Sequence, residues 1–348
     1  MRFIVTDIGG THARLAWFDS RDASLNQLQQ IKKFACAEFA DMAQLLRCYL
    51  QYIEQENQDV AGNRQAYSLV LASAGILHQQ KIRHQKLRWA IDINELQRQC
   101  GLQQIYWLND FTALAWAQPQ FAAASLFEIR AHHSQLAAPE LVQADRATGP
   151  DLIIGPGTGL GVAVYSQQSG TQQVLASEAG HLSLTPFTAE QAEIMPLLAK
   201  NAGRLSYDSV LSGPGLLAIY RALASQQKRL PDYDDAAQIT QAAIQQTDQL
   251  AQQSLAMFSD WLAHFCAEMA ICFQAPRIYL AGSIPASIAS ALQSERFAAC
   301  LLDKGVFRPF LQSLTIHVIA HGDLALHGAR QYALVQQAQL SASGVNLA

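Results

Sequence analysis

Charged residues are scarce in this sequence of 348 residues: Asp, Glu, Lys and Arg make up 15% of it, against roughly 25% in typical soluble proteins. The 24 Lys and Arg and the 28 Asp and Glu leave a formal net charge of −4 with His neutral. Such a weakly acidic mixture lacks the basic surface that binds nucleic acid or an anionic membrane, so we expect neither partner. Half of the residues are hydrophobic (50%), which excludes disorder as the main state.

Long hydrophobic runs and patterned cysteines are also missing. No uninterrupted apolar stretch reaches the roughly 18 residues of a membrane span, and residues 1–7 are typical of a strand, not of a signal peptide. The six cysteines are scattered, without a C-x-x-C pair or a zinc-finger spacing. We therefore expect reduced, mostly buried thiols, no structural metal and a cytoplasmic protein.

Three segments share one plan, an apolar run that ends in a glycine-rich turn: residues 3–11, 152–161 and 277–285. The first two continue into a second apolar run, at 15–18 and at 162–165. This pattern predicts β-hairpins whose turns require positive φ or a close approach of the backbone to a ligand. Since the unit recurs in the second half of the chain, we expect a duplicated architecture of two domains.

The apolar spacing elsewhere alternates between the helical period and the strand period. It predicts helices over residues 38–55, 112–117 and 248–274, and strands over 67–72, over 105–108 and from 278 onward. Strands that alternate with helices indicate an α/β fold with a mixed or parallel sheet.

Asp7 ends the first strand beside Gly9, Gly10 and the hydroxyl of Thr11. Glycines let backbone N–H groups reach phosphate oxygens, and a carboxylate at this position can hold Mg²⁺ or its waters. An ordinary hairpin with an aspartate in its turn explains the segment equally well when it is taken alone.

The second turn, residues 155–161, contains four glycines in seven residues. So many glycines are costly in chain entropy unless a ligand must approach the backbone. The segment is neither a Walker A loop nor the start of a Rossmann helix. Together with the third turn at Gly282, it favours a nucleotide held between two domains over three unrelated tight turns.

Two polar pairs follow apolar segments. Asn109 and Asp110 stand where a strand passes into a helix, which fits either a helix cap or a ligand site at the end of a sheet. Local pattern favours the cap. Glu178 and His181 lie near a glycine. They could be two ligands of a zinc ion, although the sequence suggests no third ligand nearby, or they could be a lone surface pair.

Taken in order, these segments resemble the bacterial glucokinase family of the actin/hexokinase-like superfamily over nearly the whole chain. The matching stretches are 7–11 with 13–16, 109–113, 155–161, 178–181, 210–216 and the strand into Ala281-Gly282. The resemblance implies a duplicated ribonuclease-H-like α/β fold (the actin/hexokinase-like fold) with a cleft between two domains. It places a small domain at residues 1–118 plus 322–348, a large domain at 119–321, and two such chains in a homodimer.

The resemblance further implies an ATP-dependent glucokinase, which phosphorylates the 6-hydroxyl of glucose at the entry to glycolysis with Mg²⁺ on the phosphates. Asp110 matches the catalytic base, and the sugar contacts are matched by Asn109, Glu178, His181 and Asp208. The nucleotide and phosphate positions are matched by Thr6, Asp7, Ile8, Gly9, Gly10, Thr11, Gly157, Thr158, Gly159, Ala281 and Gly282. Asp7 is the implied ligand of Mg²⁺, directly or through water.

Four positions depart from the family pattern. His12 replaces an Asn, Asp208 replaces a Glu that contacts the sugar, Ser283 replaces a Gly, and the loop 83–89 lacks a Thr-Asn pair. These changes leave two alternatives open beside glucokinase. One is a kinase for another hexose, such as mannose or an amino sugar, and the other is a sugar-binding regulator with weak activity.

Overall fold

A computed structural model gives the three-dimensional structure of the protein. The residues that it describes are 1–56, 67–83, 89–130, 149–319 and 322–342. The loop around Gln85 and Lys86, where the sequence departs from the family pattern, lies outside these ranges. So does His321, at the predicted domain boundary.

Strands and helices alternate along the chain. The strands are β1 (Arg2–Ile8), β2 (His12–Asp19), β3 (Gln29–Ala35), β4 (Ser68–Ser73), β5 (Ile76–His78), β6 (Lys81–Arg83), β7 (Ile91–Asp92), β8 (Ile105–Asn109), β9 (Ser125–Arg130), β10 (Asp151–Pro156), β11 (Leu160–Gln168), β12 (Thr171–Ser177), β13 (Arg277–Ala281) and β14 (Thr315–Ile319). The α-helices are α1 (Met42–Glu56), α2 (Ile93–Cys100), α3 (Asp110–Trp116), α4 (Phe121–Ala124), α5 (Ala189–Ala202), α6 (Gly213–Gln226), α7 (Ala236–Ile244), α8 (Gln249–Phe273), α9 (Ser283–Ser287), α10 (Ala289–Leu292), α11 (Glu295–Leu302), α12 (Arg308–Gln312) and α13 (Leu324–Ala342). The predicted α/β class is confirmed.

The described chain divides into two compact units, one of Met1–Gln120 with Gly322–Ala348 and one of Phe121–His321. In the first unit a five-stranded sheet has the order β3-β2-β1-β4-β8. The predicted hairpin is formed by β1 and β2, whereas β1, β4 and β8 run parallel to one another. A smaller sheet of β5, β6 and β7 belongs to the same unit.

Helix α1 begins at Met42, later than the predicted start at Glu38. Residues 36–38 form a separate 3-10 turn. The helix cap comes from Asp41, whose Oδ1 accepts a hydrogen bond from the N–H of Gln44 at 2.7 Å. Aspartate at this position satisfies an N–H group that the first helical turn leaves open, so the helix starts directly after it.

Helix α13 belongs to the first unit, where it packs on α3, β1 and β4. Gly328 lies so close to α3 that a Cβ on it would overlap the carbonyl oxygen of Ala113. Tyr332 meets the rings of Tyr106 and Trp116 at steep angles, with centroid distances of 6.0 and 5.7 Å. A close glycine contact and edge-on aromatic pairs therefore hold the C-terminal helix in this unit.

The second unit contains a six-stranded sheet of order β12-β11-β10-β13-β14-β9. The second predicted hairpin is formed by β10 and β11, and β10, β13 and β14 are parallel neighbours. Asp151 and Arg277 are partners at the start of β10 and β13, and the Arg277 Nε donates to Asp151 Oδ1 at 2.7 Å. Asp151 is only 2% exposed, so a shift of register would leave a buried charge without its partner.

The 25-residue helix α8 forms the core of the second unit, where it packs against α6, α7 and α11. Its bounds agree with the prediction. Asp248 caps its start by accepting from the N–H of Ala251 at 2.6 Å, and Gln274 ends it in a left-handed conformation (φ 50°). Among the described helices it is the one long and apolar enough to cross a membrane, but 78% of that apolar window is buried inside the protein. Such burial is typical of the core helix of a globular domain.

We expect Gly328→Ala to destabilise the first unit, although alanine is the better helix former. The added Cβ would overlap the Ala113 carbonyl oxygen, and overpacking of this kind costs about 1–3 kcal/mol. Urea unfolding followed by circular dichroism measures the change. Ala338→Gly, at an exposed position of α13, is the control, because it reports only the intrinsic helix preference of about 1 kcal/mol. An unfolding free energy in Gly328→Ala that equals or exceeds the wild-type value contradicts the packing.

Candidate active site

The parallel strands of the first unit end at one edge of their sheet. Ile8, Ser73 and Asn109 are register partners at the ends of β1, β4 and β8. Trp107 donates from Nε1 to the Ser73 hydroxyl at 3.2 Å, which links two of these strands near their ends. The carboxyl ends of parallel strands are the usual place for ligand contacts in open α/β sheets. The structure therefore brings the turn that follows Asp7 and the segment of Asn109 to the same edge.

Asp7 is paired with a cation on the next strand. Arg14 is its register partner across the hairpin, and Arg14 Nη1 lies 3.1 Å from Asp7 Oδ2. The same Nη1 donates to the carbonyl oxygen of Gly322 at 3.1 Å, and Arg14 Nε lies 3.7 Å from Asp323 Oδ1. Arg14 thus orients Asp7 and joins the hairpin to the segment that leads into α13.

The sequence pattern predicts no role for Arg14. The sequence does contain a signal for this pair. Arg14 is a lone arginine in an apolar strand, and it follows the turn at the same distance in sequence as Asp7 precedes it. Hairpin register places two such residues opposite each other, so their opposite charges predict a pair.

The other residues of the first turn divide into buried and accessible groups. Thr6 and Ile8 are buried, and the Thr6 hydroxyl donates to the carbonyl oxygen of Val70 at 3.4 Å. The exposed or half-buried residues are Gly9, Gly10, Thr11 and His12. The turn is closed by the N–H of Gly9, which donates to the His12 carbonyl oxygen at 2.9 Å. The side chains of Thr6 and Ile8 therefore support the turn from inside the sheet.

Asn109 caps helix α3. Its Oδ1 accepts from the N–H of Phe111 at 2.9 Å and from that of Thr112 at 3.3 Å. Asp110 is the first residue of α3, and its own Oδ1 accepts from the Phe111 N–H at 3.0 Å. Both side chains are half-buried. The capping interpretation is confirmed for the oxygen of Asn109, and the cap does not use its amide nitrogen.

In the second unit the glycine-rich turn joins β10 to β11. Gly155 and Gly161 are paired across the hairpin, and the N–H of Gly157 donates to the carbonyl oxygen of Gly159 at 2.8 Å. Thr158 is exposed at the tip. A turn with so little side-chain bulk lets backbone N–H groups approach the oxygens of a phosphate.

The segment with Glu178 and His181 packs against this turn. Residues 179–181 form a 3-10 turn, and a Cβ on Gly180 would overlap the carbonyl oxygen of Leu160. The side chains of Glu178 and His181 are 71% and 65% exposed, with His181 Nε2 3.9 Å from Glu178 Oε2. A carboxylate and an imidazole are thus presented together. No group of three or more potential metal ligands occurs in the described part of the chain, so the zinc alternative finds no third ligand there.

Asp208 reaches the same glycine turn from another segment, the 3-10 turn Tyr207–Ser209. Its Oδ1 accepts a hydrogen bond from the N–H of Leu160 at 2.7 Å. The neighbouring Tyr207 is buried, and its hydroxyl donates to Glu268 Oε2 on α8 at 2.7 Å. Burial, together with the Glu268 carboxylate, raises the pKa of Tyr207, so the phenol keeps the proton that it donates.

The third glycine turn follows β13. Ala281 is buried and pairs with Ile319 of β14. Gly282 has a φ of 105°, which side chains rarely adopt, and a Cβ on it would lie 3.2 Å from the carbonyl oxygen of Pro156. Ser283, one of the departures from the family pattern, begins the short helix α9. The two glycine turns of the second unit therefore lie at the same sheet edge.

A sequence profile of the Glucokinase family matches residues 4–336. A glucokinase-like protein of Xylella fastidiosa (strain 9a5c) is 31% identical over 341 residues, which cover 97% of this chain and 96% of that protein. The crystal structure of glucokinase from an Antarctic psychrotroph superposes with a TM-score of 0.73 at 26% identity, covering 95% of this chain and 98% of the other. A ROK family glucokinase from Streptomyces griseus, in complex with glucose and AMPPNP, matches with a TM-score of 0.56 at 18% identity, covering 97% and 100%.

The fold and these relatives define the class: the chain is a sugar kinase with the duplicated, actin/hexokinase-like α/β fold. Within that class it belongs to the Glucokinase family, since the family profile spans nearly the whole chain. The predicted fold class and the family resemblance are confirmed.

We expect Asn109→Ala to destabilise the protein by about 0.5–2 kcal/mol, because two N–H groups of α3 lose their acceptor. Asn109→Asp keeps an oxygen at the cap and retains the wild-type stability. Urea unfolding compares the two variants. Asp92→Ala is the matched control, since it removes the cap of α2 in the same unit, where Asp92 Oδ1 accepts from Glu95 N–H at 3.1 Å. A loss in the control with none in Asn109→Ala would rule out the cap.

Proposed function

We propose that the protein transfers the γ-phosphate of ATP to the 6-hydroxyl of glucose and yields glucose 6-phosphate, the entry to glycolysis. Membership of the Glucokinase family supports a kinase for glucose or a related hexose. The S. griseus enzyme, crystallised with glucose and AMPPNP, shares the fold. The observation that carries the proposal is the position of Asp110, a carboxylate at the sheet edge where the glycine turn after Asp7 also lies.

Asp110 is the proposed general base. Phosphoryl transfer depends on positioning and charge neutralisation, with one carboxylate to accept the proton of the attacking hydroxyl. The N–H of Phe111 orients the Asp110 carboxylate through a 3.0 Å bond to Oδ1. Asn109 is fixed by its cap bonds, and it would present its amide N–H to a neighbouring sugar hydroxyl.

Glu178, His181 and Asp208 are the proposed partners of the other sugar hydroxyls. Each hydroxyl both donates and accepts a hydrogen bond, so carboxylates and an imidazole are complementary partners. The exposure of Glu178 and His181 on one turn, and their contact at 3.9 Å, support a joint role. Asp208 lies beside the same turn through its bond to Leu160.

The nucleotide would bind to the glycine turns, whose accessible N–H and hydroxyl groups suit phosphate oxygens. The proposed contacts are Asp7, Gly9, Gly10, Thr11, Gly157, Thr158, Gly159 and Gly282, and the buried Thr6, Ile8 and Ala281 would support these turns from inside their sheets. Mg²⁺, when bound, neutralises charge on the phosphates. Asp7 fits a supporting role toward it: Oδ2 pairs with Arg14, and the described residues contain no cluster of three ligands, so waters and phosphates would supply most of the coordination.

A kinase for another hexose, such as mannose or an amino sugar, is the second candidate. Asp208 favours this second candidate, because its side chain is one methylene shorter than the family's glutamate. One of its carboxylate oxygens also accepts a hydrogen bond from the Leu160 N–H. A coupled assay of ATP consumption over a panel of hexoses separates the candidates. The highest kcat/KM with glucose supports glucokinase, and the highest value with another sugar supports the second candidate. No turnover with any sugar refutes both and leaves a sugar-binding regulator.

From the resemblance of the sequence to the family, we also propose a homodimer and a cytoplasmic location. All six cysteines are free thiols, which suits a reducing compartment. Sedimentation equilibrium at several protein concentrations tests the dimer. A single species at the chain mass of 38.1 kDa contradicts it.

Asp110→Asn should abolish most turnover while sugar binding persists. The amide keeps the size of the side chain and one acceptor but cannot take a proton, and the loss of a general base costs on the order of 10² to 10⁴ in rate. Steady-state kinetics with glucose and calorimetric titration of glucose measure the two effects. Asp92→Asn makes the same change at the start of α2 and should leave kcat unchanged. A near-wild-type kcat in Asp110→Asn would refute the role of general base and leave Asp110 with a structural role at the start of α3.

Glu178→Gln and His181→Ala should weaken glucose binding, and Thr158→Val should weaken ATP binding. Each loss of a hydrogen-bond partner costs roughly 1–3 kcal/mol for the ligand concerned. Calorimetry with glucose, and separately with a non-hydrolysable ATP analogue, measures both. Thr158→Ser keeps the hydroxyl and serves as the control for the nucleotide. Equal weakening of both ligands in every variant would refute this division of roles.

A further inference from the structure

Leu160 is the residue at which three segments of the second unit meet. It follows the glycine turn as the first residue of β11, and its N–H donates to Asp208 Oδ1 at 2.7 Å. Its carbonyl oxygen lies against Gly180, where a Cβ would overlap it. The turn assigned to phosphate, the segment of Glu178 and His181, and the Asp208 segment therefore share one backbone unit.

Further contacts tie the Asp208 segment to the glycine turn. The N–H of Gly213 donates to the carbonyl oxygen of Gly157 at 2.8 Å, and the Ser212 hydroxyl donates to the Asp208 carbonyl oxygen at 2.9 Å. A Cβ on Gly159 would lie 2.6 Å from Asp208 Oδ1. The Asp208 carboxylate thus occupies the space beside the turn, and the absence of a side chain at Gly159 makes room for it.

The backbone of Asp208 is anchored to the core of the unit. The buried ring of Tyr207 packs on Phe265 at 4.8 Å, and its hydroxyl donates to Glu268 at 2.7 Å. Glu268 in turn accepts from the Lys304 ammonium at 3.2 Å. Since Phe265 and Glu268 both belong to α8, Asp208 cannot move far without a shift in the close-packed core helix.

We propose that Asp208 is a positioning residue for the phosphate turn and that it couples sugar binding to nucleotide binding. The inference rests on the proposed function. Asp208 Oδ1 holds the turn through Leu160, and within the described residues Oδ2 accepts no hydrogen bond, which leaves that oxygen for a sugar hydroxyl. A sugar bound at Oδ2 fixes the carboxylate, and through Oδ1 it fixes the turn before the phosphates arrive. Such preorganisation increases the affinity for the second ligand.

The coupling is a property of aspartate at this position. The glutamate of the family pattern carries its carboxylate one methylene farther from the backbone. From the same anchored backbone it would not repeat the 2.7 Å bond to Leu160. The shorter side chain therefore extends less far toward the sugar, but it makes a direct hydrogen bond to the phosphate turn.

The test measures nucleotide and sugar affinities separately by calorimetry, with AMPPNP and with glucose. Asp208→Ala should weaken AMPPNP binding about tenfold with no sugar present, and should remove the gain in AMPPNP affinity that saturating glucose gives the wild type. Asp208→Asn keeps an oxygen for the Leu160 N–H, so it should bind AMPPNP like the wild type and glucose more weakly. Asp248→Ala, which removes the cap of α8, is the control and should leave AMPPNP affinity unchanged.

Gly159→Ala provides a second, independent variant. Its Cβ would displace Asp208 Oδ1, so AMPPNP affinity should fall in the wild-type background and change little further in the Asp208→Ala background. Fully additive effects, or wild-type AMPPNP affinity in Asp208→Ala, overturn the inference. A wild-type protein that binds neither AMPPNP nor any hexose instead refutes the proposed function, so the two failures are distinguishable.

Discussion

Both units depend on one constraint of strand pairing: the first strand of each hairpin has an antiparallel partner on one side and a parallel partner on the other. In the first unit β1 lies between β2 and β4, and in the second β10 lies between β11 and β13. The antiparallel partner requires a turn directly after the strand, and the parallel partner ends at the same edge of the sheet. In the second unit this places the turn that contains Gly282, after β13, at the edge of the first glycine turn. In the first unit β8, the parallel neighbour of β4, brings the predicted site residues Asn109 and Asp110 to the edge where the turn after β1 lies.

Charged pairs on these same strands protect the pairing. Asp7 and Arg14 face each other across β1 and β2, and Asp151 and Arg277 do so across β10 and β13. Pairs that are shielded from water add little net stability, but separating them by a slip of register leaves a charge without its partner. These pairs therefore favour one strand register over the alternatives and add little to the stability of the sheet. In the first unit the pair also includes the carboxylate that the proposed chemistry assigns to Mg²⁺.

The elements that follow from local signals were predictable, and the contacts that depend on distant residues were not. The bounds of α8 follow from the Asp248 cap and the proline after its end, and both hairpins follow from glycine between two apolar runs. The Asp208–Leu160 hydrogen bond joins residues that are 48 positions apart, and no periodic pattern in the sequence indicates it. The family resemblance implies a sugar contact for Asp208, but only the folded chain reveals that one of its oxygens accepts a hydrogen bond from Leu160, directly after the glycine turn.

The position of α13 has a consequence for synthesis on the ribosome. The strands of the first unit precede the second unit in the sequence, whereas the helix that covers α3, β1 and β4 is made only after the whole of the second unit. At roughly 5–20 residues per second, that face stays uncovered for on the order of 10–40 s. The second unit can fold within this interval as a separate body. The apolar face around Ala113 is therefore exposed in the nascent chain until Gly328 packs against it.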